Sequence, residues 1–157
     1  QALELVQVYL PLRTTMVKVV QRVQGDEVWV GFPPACDLGD LQAPITEAVM
    51  LTIKNLMEQI TFGACSVRRA CFHHDAPAHA ELIRDLFGCE VQHGQDWSGL
   101  VIRQADLDLP LSAADPATFA EAARLCREEL DKRDANAPLS IKVRRALLDK
   151  QIGRAHV

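Results

Sequence analysis

The chain has 157 residues, of which 48% are hydrophobic, and carries a formal net charge of −4 at pH 7. This length and apolar content suit one compact domain with a core of its own and argue against intrinsic disorder. The acidic balance argues against a chain that holds a nucleic-acid duplex by itself, because duplex affinity depends on phosphates neutralised by Lys and Arg.

The cysteines and the apolar runs narrow the class of protein further. Five cysteines, an odd number without regular spacing, are typical of reduced thiols rather than of a disulfide framework. The uncharged apolar stretches are too short to cross a bilayer, and the first residues lack the pattern of a signal peptide. We therefore expect a cytoplasmic protein with no membrane contact. The chain begins without Met, so a signal upstream of Gln1 stays open.

The first part of the sequence predicts a short helix followed by a β-hairpin. Apolar residues recur at helical spacing until Pro11 stops the pattern, namely Ala2, Leu5, Val6 and Tyr9. Valines at 17, 19 and 23 then share one face of an alternating run, and the turn Gln24–Asp26 leads into a second strand, Glu27–Phe32. Pro33–Pro34 closes this strand because proline offers no N–H to a ladder.

A long amphipathic helix follows the hairpin. Pro44 suits its first turn, and Gly63 is expected to end it in the left-handed conformation. One apolar stripe runs along it, formed by Ile45, Val49, Ile53, Leu56 and Ile60 and widened by Met50 and Met57. Such a stripe is typical of core packing rather than of a partner groove.

The segment after Gly63 predicts a strand over Ser66–His73 and then another helix. Asp75 and Pro77 are expected to cap the start of this helix, and Gly88 to end it. Its apolar face is formed by Ala76, Ala80, Ile83 and Phe87.

Two further strands, Cys89–His93 and Gly99–Gln104, are joined by the turn Gly94–Asp96, so we expect them to pair with each other. Only Ser66–His73 and its successor strand have a connection long enough for parallel pairing, which would be right-handed if the two are adjacent. The order ββαβαββ predicts an α+β fold, with a mixed, mostly antiparallel sheet packed with helices.

Two C-terminal helices are predicted. Asp115 occupies an N-cap position and Pro116 the first helical position. The apolar stripe of the first helix consists of Phe119, Ala122, Ala123, Cys126 and Leu130. Asn136–Pro138 ends it, and Leu139–Lys150 forms the second helix. Both helices are candidates for a self-association surface, and packing onto their own domain is an equally weighted alternative.

Several short motifs, through their order and spacing, resemble a known family. They are Val67–His74, Pro77, Leu86–Val91, Leu100–Ile102, Asp106–Leu111 and Ala114–Asp115. The set resembles the effector-binding domain of bacterial AraC-family transcription regulators, in the branch whose domain is called arabinose-binding by convention. The resemblance covers Ala2–Lys150, and its specific portion is Val67–Asp115. One departure is His93, where the family usually has an aromatic residue.

This resemblance implies a domain that senses an unidentified small-molecule effector and forms a homodimer, while a downstream segment with two helix-turn-helix units reads DNA. On this interpretation residues 1–137 form an effector-binding domain without the opening helices of the family. Residues 138–151 begin a linker helix toward a missing DNA-binding domain. Residues 152–157 match a reading frame of a sequencing-adapter oligonucleotide, so we interpret them as a non-native tail, with a natural helix end at Gly153 as the alternative.

Arg69 and His73 are the candidates for effector contact, with Trp97 and Tyr9 as further polar groups. Arg68 and Arg69 point to opposite faces of a strand, so one guanidinium could face an acidic effector. The sequence nevertheless favours solvent exposure of both arginine side chains.

The sequence also offers residues for a metal site and for a catalytic pair. Four possible zinc ligands fall within ten positions, namely Cys65, Cys71, His73 and His74, with His79, Cys89 and His93 as further donors. Their spacing matches no zinc signature, so we expect no metal and no cofactor. Cys71 beside His73 lacks the orienting group of a catalytic pair, and a stand-alone enzyme or binding protein on the same scaffold is kept as the alternative function. Asp106 and Asp108 are expected to be solvated carboxylates.

Overall fold

The computed structural model describes residues 2–109 and 115–136. Its helices and strands are α1 Ala2–Tyr9, β1 Val20–Gln24, β2 Glu27–Gly31, α2 Gln42–Ile60, β3 Val67–Cys71, α3 Ala80–Phe87, β4 Glu90–Gln92, β5 Gly99–Arg103 and α4 Pro116–Asn136. Short 3-10 turns lie at Leu10–Leu12, Gly39–Leu41 and Gln104–Asp108. The predicted order ββαβαββ is confirmed. The chain divides into two compact units, one before Asp115 and one from Asp115 onward.

The five strands of the described residues form one sheet in the order β1-β2-β5-β3-β4. β3 and β4 are parallel, and the other neighbours are antiparallel. This confirms the mixed, mostly antiparallel sheet and the parallel pair. The expected pairing of β4 with β5 is wrong, because β5 lies between β2 and β3. Gly99–Ile102 is buried on both faces, which suits a central strand, whereas the short β4 lies at the edge.

β1 and β2 form the predicted hairpin. Gly25 has a φ of +63°, as the first residue of a two-residue hairpin loop often requires. β1 is the edge strand opposite β4, and all of its residues are exposed. Val23, which was expected to share a face with Val17, is therefore 58% exposed, whereas Val17 precedes the strand and is buried.

The core lies between one face of the sheet and the helices α2 and α3. It consists of Val28, Val30, Phe32, Met50, Val67, Ala70, Phe72, Ile83, Phe87, Leu100 and Ile102. The row of α2 that is fully buried is Thr46, Met50 and Lys54, whereas Leu56 and Ile60 of the predicted stripe are 45% and 39% exposed. Lys54 tolerates burial because its Nζ lies 2.7 Å from Oε2 of Glu58. Because Thr46 and Lys54 are polar, the pattern of apolar residues did not mark this row as the buried face of α2.

α3 begins at Ala80, so the expected caps Asp75 and Pro77 lie outside the helix. The chain before it is held by other bonds, because the His74 carbonyl accepts the Gly94 N–H at 3.0 Å. Gly88, at a φ of +59°, ends the helix as predicted. Phe87 is buried and meets Phe72 edge to face, with ring centroids 5.6 Å apart.

The cap of α4 is as predicted, since Oδ1 of Asp115 accepts the Ala117 N–H at 3.1 Å. The hydroxyl of Thr118 also donates to this carboxylate, and together these bonds lower the pKa of Asp115. The predicted helix Leu139–Lys150 and the suspected tail 152–157 lie outside the described residues. Among the helices that the structure describes, none has the length and apolar content needed to cross a membrane.

Candidate ligand clefts at one end of the sheet

Strand pairing brings several loops together at one end of the sheet. Val20 pairs with Gly31, Gly31 with Gly99, Gly99 with Cys71, and Cys71 with Gln92. The chain enters or leaves all five strands here through 18–19, Phe32–Pro34, His73–His74 and His93–Ser98. The first turns of α2 share clefts with these loops.

Trp97 lies against two glycines that face each other across β2 and β5. A Cβ on Gly99 would stand 2.2 Å from Cζ3 of Trp97 and 2.3 Å from the carbonyl oxygen of Val30, so a side chain cannot fit there. A Cβ on Gly31 would stand 3.7 Å from Cε3 of the same indole. Trp97 also stacks on Trp29, with ring centroids 4.9 Å apart and planes 16° apart. The two glycines thus form a seat for this indole.

Two clefts adjoin the seated indole. The first, which we name the proline cleft, has a volume of about 370 Å³ and extends past Pro33–Pro34 to Gln42 and Thr46 of α2. The second, the tryptophan cleft, has a volume of about 440 Å³ and extends over Trp29 along β1. Four residues line both clefts, namely Val20, Gly31, Asp96 and Trp97. Trp97 and Asp96 therefore stand at the junction of one extended concave surface.

His73 is fixed at the wall of the proline cleft by the loop that carries Trp97. Its backbone N–H donates to Oγ of Ser98 at 2.9 Å, and its Nδ1 lies 2.7 Å from the Gln95 carbonyl oxygen. Because a carbonyl only accepts, Nδ1 carries the proton, which makes Nε2 of the neutral ring an acceptor. His73 also lines a third cleft of about 270 Å³, which continues along the start of α2 from Gly39 to Thr46.

Next to this wall, His93 packs inside an aromatic cluster. Its ring stacks on Phe72 with centroids 5.2 Å apart and lies 5.4 Å from the ring of His74. Both ring nitrogens of His93 are shielded from solvent and have no hydrogen-bond partner among residues 2–109 and 115–136. Burial lowers the pKa of His93, and the neighbouring His74 lowers it further. His93 thus packs as an aromatic residue would.

Glu47 of α2 connects the histidine segment to the helix. Its two carboxylate oxygens lie 3.2 Å from Nε2 of His74 and 3.1 Å from Nε2 of His79. The His79 contact is a hydrogen bond, whereas the His74 contact is within ion-pair distance but lacks hydrogen-bond alignment. These contacts hold the segment between β3 and α3 against the first turns of α2.

The two arginines considered for effector contact lie away from these clefts. Arg69 is 26% exposed and lies 3.3 Å from Oε2 of Glu27, the oxygen to which Nε1 of Trp29 also donates. Arg68 is exposed and lies 3.5 Å from the same carboxylate. Neither lines the proline or the tryptophan cleft, whereas His73 and Trp97 do. Tyr9 is half-buried at the end of α1.

Cys71 and its neighbouring histidines do not form a thiol–imidazole pair. The Cys71 thiol donates to Oε1 of Gln92 at 3.9 Å, while Nδ1 of His73 and Nδ1 of His74 contact backbone carbonyls. Burial raises the pKa of the Cys71 thiol and outweighs the opposing effect of Arg69, so the protonated form prevails. Over 2–109 and 115–136, no three His, Cys, Asp or Glu side chains converge as metal ligands do.

Asp106 departs from its expected solvation. It is 8% exposed, and its carboxylate receives Arg103 at 3.1 and 3.3 Å. The reason is that Asp106 lies in the 3-10 turn Gln104–Asp108, which folds back toward the end of β5, whereas the sequence suggested an open strand end. Asp108 is exposed as expected. The pair is structural and lies at the opposite end of β5 from the clefts.

Sequence reasoning missed Arg22, Asp96 and the glycine seat. A signal was present, since Gly31 and Gly99 interrupt apolar strands, and glycine within a strand often marks the close approach of another group. Which group approaches depends on the pairing of β2 with β5, which no local pattern reveals.

The family model described as the arabinose-binding domain of AraC transcription regulators, N-terminal, matches residues 1–111. The chain is also similar to the ornithine utilization regulator of Pseudomonas aeruginosa, with 29% identity over 112 residues that cover 67% of this chain and 33% of that protein. The chain thus spans about a third of the length of that relative. The family match contains every strand that the structure describes and every cleft residue, whereas α4 lies beyond it.

Proposed function

This chain belongs to the AraC family of transcription regulators, as an arabinose-binding-type N-terminal domain, and on that premise we propose that the clefts around Trp97 bind the small-molecule effector. The observation that carries the proposal is the seat of Trp97 on Gly31 and Gly99 at the junction of two clefts. Concave surfaces with aromatic walls and a few polar groups are the usual sites for small ligands.

The polar groups of the proline cleft come from separate elements, which suits a sensor. Thr46 belongs to α2, His73 follows β3, and Asp96 and Ser98 precede β5. A ligand that contacts all of them stabilises one arrangement of helix and loops over others, and a ligand shifts an equilibrium only through such differential contacts. We propose that this shift is the signal that the domain transmits.

The first compound to test is L-ornithine, because the similar regulator is named for ornithine utilization. Isothermal titration calorimetry of the chain with a panel of amino acids, sugars and aromatic acids identifies a binder. We expect Trp97→Leu to weaken its binding at least about tenfold, through loss of the aromatic wall. Phe62→Leu, a change at a 75% exposed ring that lines none of these clefts, is the control. Unchanged binding by Trp97→Leu, or no binder in the panel, would contradict the proposal.

We further propose that the complete regulator acts in the cytoplasm and reads DNA through a segment outside this sequence. The family name and the length of the similar regulator support this, as does the net charge of −4, which leaves the present chain poorly suited to a phosphate backbone. The test is the coding sequence downstream of this chain. Two helix-turn-helix patterns would support the proposal, and a stop codon without them would contradict it.

Self-association through α4 is the remaining part of the proposal. Phe119, Ala123, Cys126 and Leu130 recur at alternating spacings of four and three, the pattern of a helix–helix seam. Two copies could pair along this seam across a two-fold axis. Sedimentation velocity should show a dimer that Leu130→Glu disrupts and that Leu125→Glu, on an exposed residue outside the seam, leaves intact. A monomer at every concentration, or equal effects of the two changes, would contradict it.

A further inference from the structure

Two residues of opposite charge line the tryptophan cleft, and their side chains have no partner in the part of the chain that the structure describes. Arg22 lies on β1 directly across from Trp29, and Asp96 precedes Trp97 in the loop before β5. Both residues line the cleft, yet neither side chain makes a hydrogen bond or ion pair with another described residue, including each other. Arg68, Arg69 and Arg103, by contrast, are all paired with carboxylates.

Resting on the proposed function, we propose that the tryptophan cleft recognises the zwitterionic head group of an α-amino acid. The guanidinium of Arg22 offers paired donors that suit a carboxylate. The carboxylate of Asp96 attracts the ammonium group, and the adjoining indoles offer faces that favour a cation. One cleft therefore presents complementary groups for both charges of such a ligand beside an aromatic surface.

The neighbouring proline cleft accepts the rest of the ligand. It shares Asp96 and Trp97 with the tryptophan cleft, and its wall beyond them is apolar at Val20, Phe32 and Pro33–Pro34. A hydrocarbon side chain attached to the head group would pass along this wall. Polar groups stand farther along, at Thr46 and His73, where they could meet a polar end of a longer side chain.

Arg22 and Asp96 are exposed, so water and salt screen each of their interactions. Neither charge alone should hold a ligand firmly. Selectivity should instead come from the requirement that both charges be satisfied at once, and binding should weaken as the salt concentration rises.

Three compounds that share the same hydrocarbon chain test the two charges one at a time. L-norvaline carries both charges, butan-1-amine lacks the carboxylate, and pentanoate lacks the ammonium group. Calorimetric titration should show L-norvaline binding at least about tenfold more tightly than either of the other two. Arg22→Gln should weaken binding of L-norvaline but not of butan-1-amine. Asp96→Asn should weaken binding of L-norvaline but not of pentanoate. Arg13→Gln and Asp85→Asn, at exposed positions outside the clefts, are the matched controls.

Equal binding of the three compounds, or variants at Arg22 and Asp96 that bind like the controls, would overturn the head-group assignment. So would failure of L-norvaline to bind a protein that binds another compound in a Trp97-dependent manner, and that result would leave the effector proposal intact. Absence of any Trp97-dependent binder overturns both. Unchanged thermal unfolding midpoints of the variants ensure that lost binding does not reflect lost folding.

Discussion

At the scale of single residues, Gly99 leaves the least room for a side chain among the glycines of the described residues. We expect Gly99→Ala to destabilise the fold by about 1–3 kcal/mol, because the new Cβ would overlap the Trp97 indole and the Val30 carbonyl and force both to move. Urea unfolding followed by circular dichroism measures the loss. Gly31→Ala is the control, since its nearest neighbour is the side chain of Val20 at 2.9 Å, which can turn away. Equal losses for the two variants would show that overlap with the Trp97 indole and the Val30 carbonyl does not set the cost at Gly99.

His93 should make the stability depend on pH. Its pKa is lowered in the folded chain, so the unfolded chain binds the proton first as the pH falls. Stability should therefore be complete above the ordinary histidine pKa of about 6.5 and decline below it. His93→Phe keeps a ring stacked on Phe72 without a titrating group. Urea unfolding between about pH 7 and pH 5 should show a smaller loss for this variant. Parallel losses would contradict a role for His93.

The site residues show what the sequence can and cannot reveal at this scale. Arg69 and His73 were selected for their chemistry, with Trp97 as a further candidate, and the structure brings His73 and Trp97 to one cleft wall while Arg69 pairs with Glu27. Arg22 and Asp96 carried no distinguishing pattern. A surface Arg on an edge strand is ordinary, and only the juxtaposition of β1 with the loop before β5 brings Arg22 and Asp96 to the same cleft.

At the scale of elements, α3 depends on one buried ring. Phe87→Ala should cost on the order of 3–5 kcal/mol, because it removes the edge-to-face contact with Phe72 and leaves a cavity beside the core. Leu86→Ala, at the preceding residue with 50% exposure, is a matched control in the same helix and should change stability far less. Chemical denaturation gives both values. Similar losses would mean that α3 does not pack through Phe87.

Element types followed from local signals, whereas element neighbours did not. Gly88 ends α3 and Asp115 caps α4 where the sequence placed them, because positive φ and side-chain capping are properties of a few adjacent residues. Gly63 has the expected positive φ, but α2 already ends at Ile60, with Thr61 as its C-cap. The partner of β5 depended on competition between whole strands for a buried position. The start of α3 depended on backbone bonds between the chain near His74 and the loop near Gly94.

For the whole molecule, charge predicts how the isolated chain behaves toward DNA. With a net charge of −4, it should show no sequence-selective duplex binding at moderate salt, as measured by fluorescence anisotropy with a labelled duplex. A saturable, sequence-selective complex formed by this chain alone would contradict the proposal that the full regulator reads DNA through a segment outside this sequence.

The most direct test of the effector site uses the two tryptophans of the chain. In a two-dimensional ¹H–¹⁵N spectrum each gives one indole Nε1–H signal, and Trp97→Phe assigns them. During titration with the compound that binds most tightly in the calorimetric panel, the Trp97 indole and the backbone amides of Asp96 and Ser98 should shift saturably, whereas the amide of the exposed Leu86 on α3 should not. Saturable shifts confined to α3 or α4, with the Trp97 signal unmoved, would place the effector elsewhere.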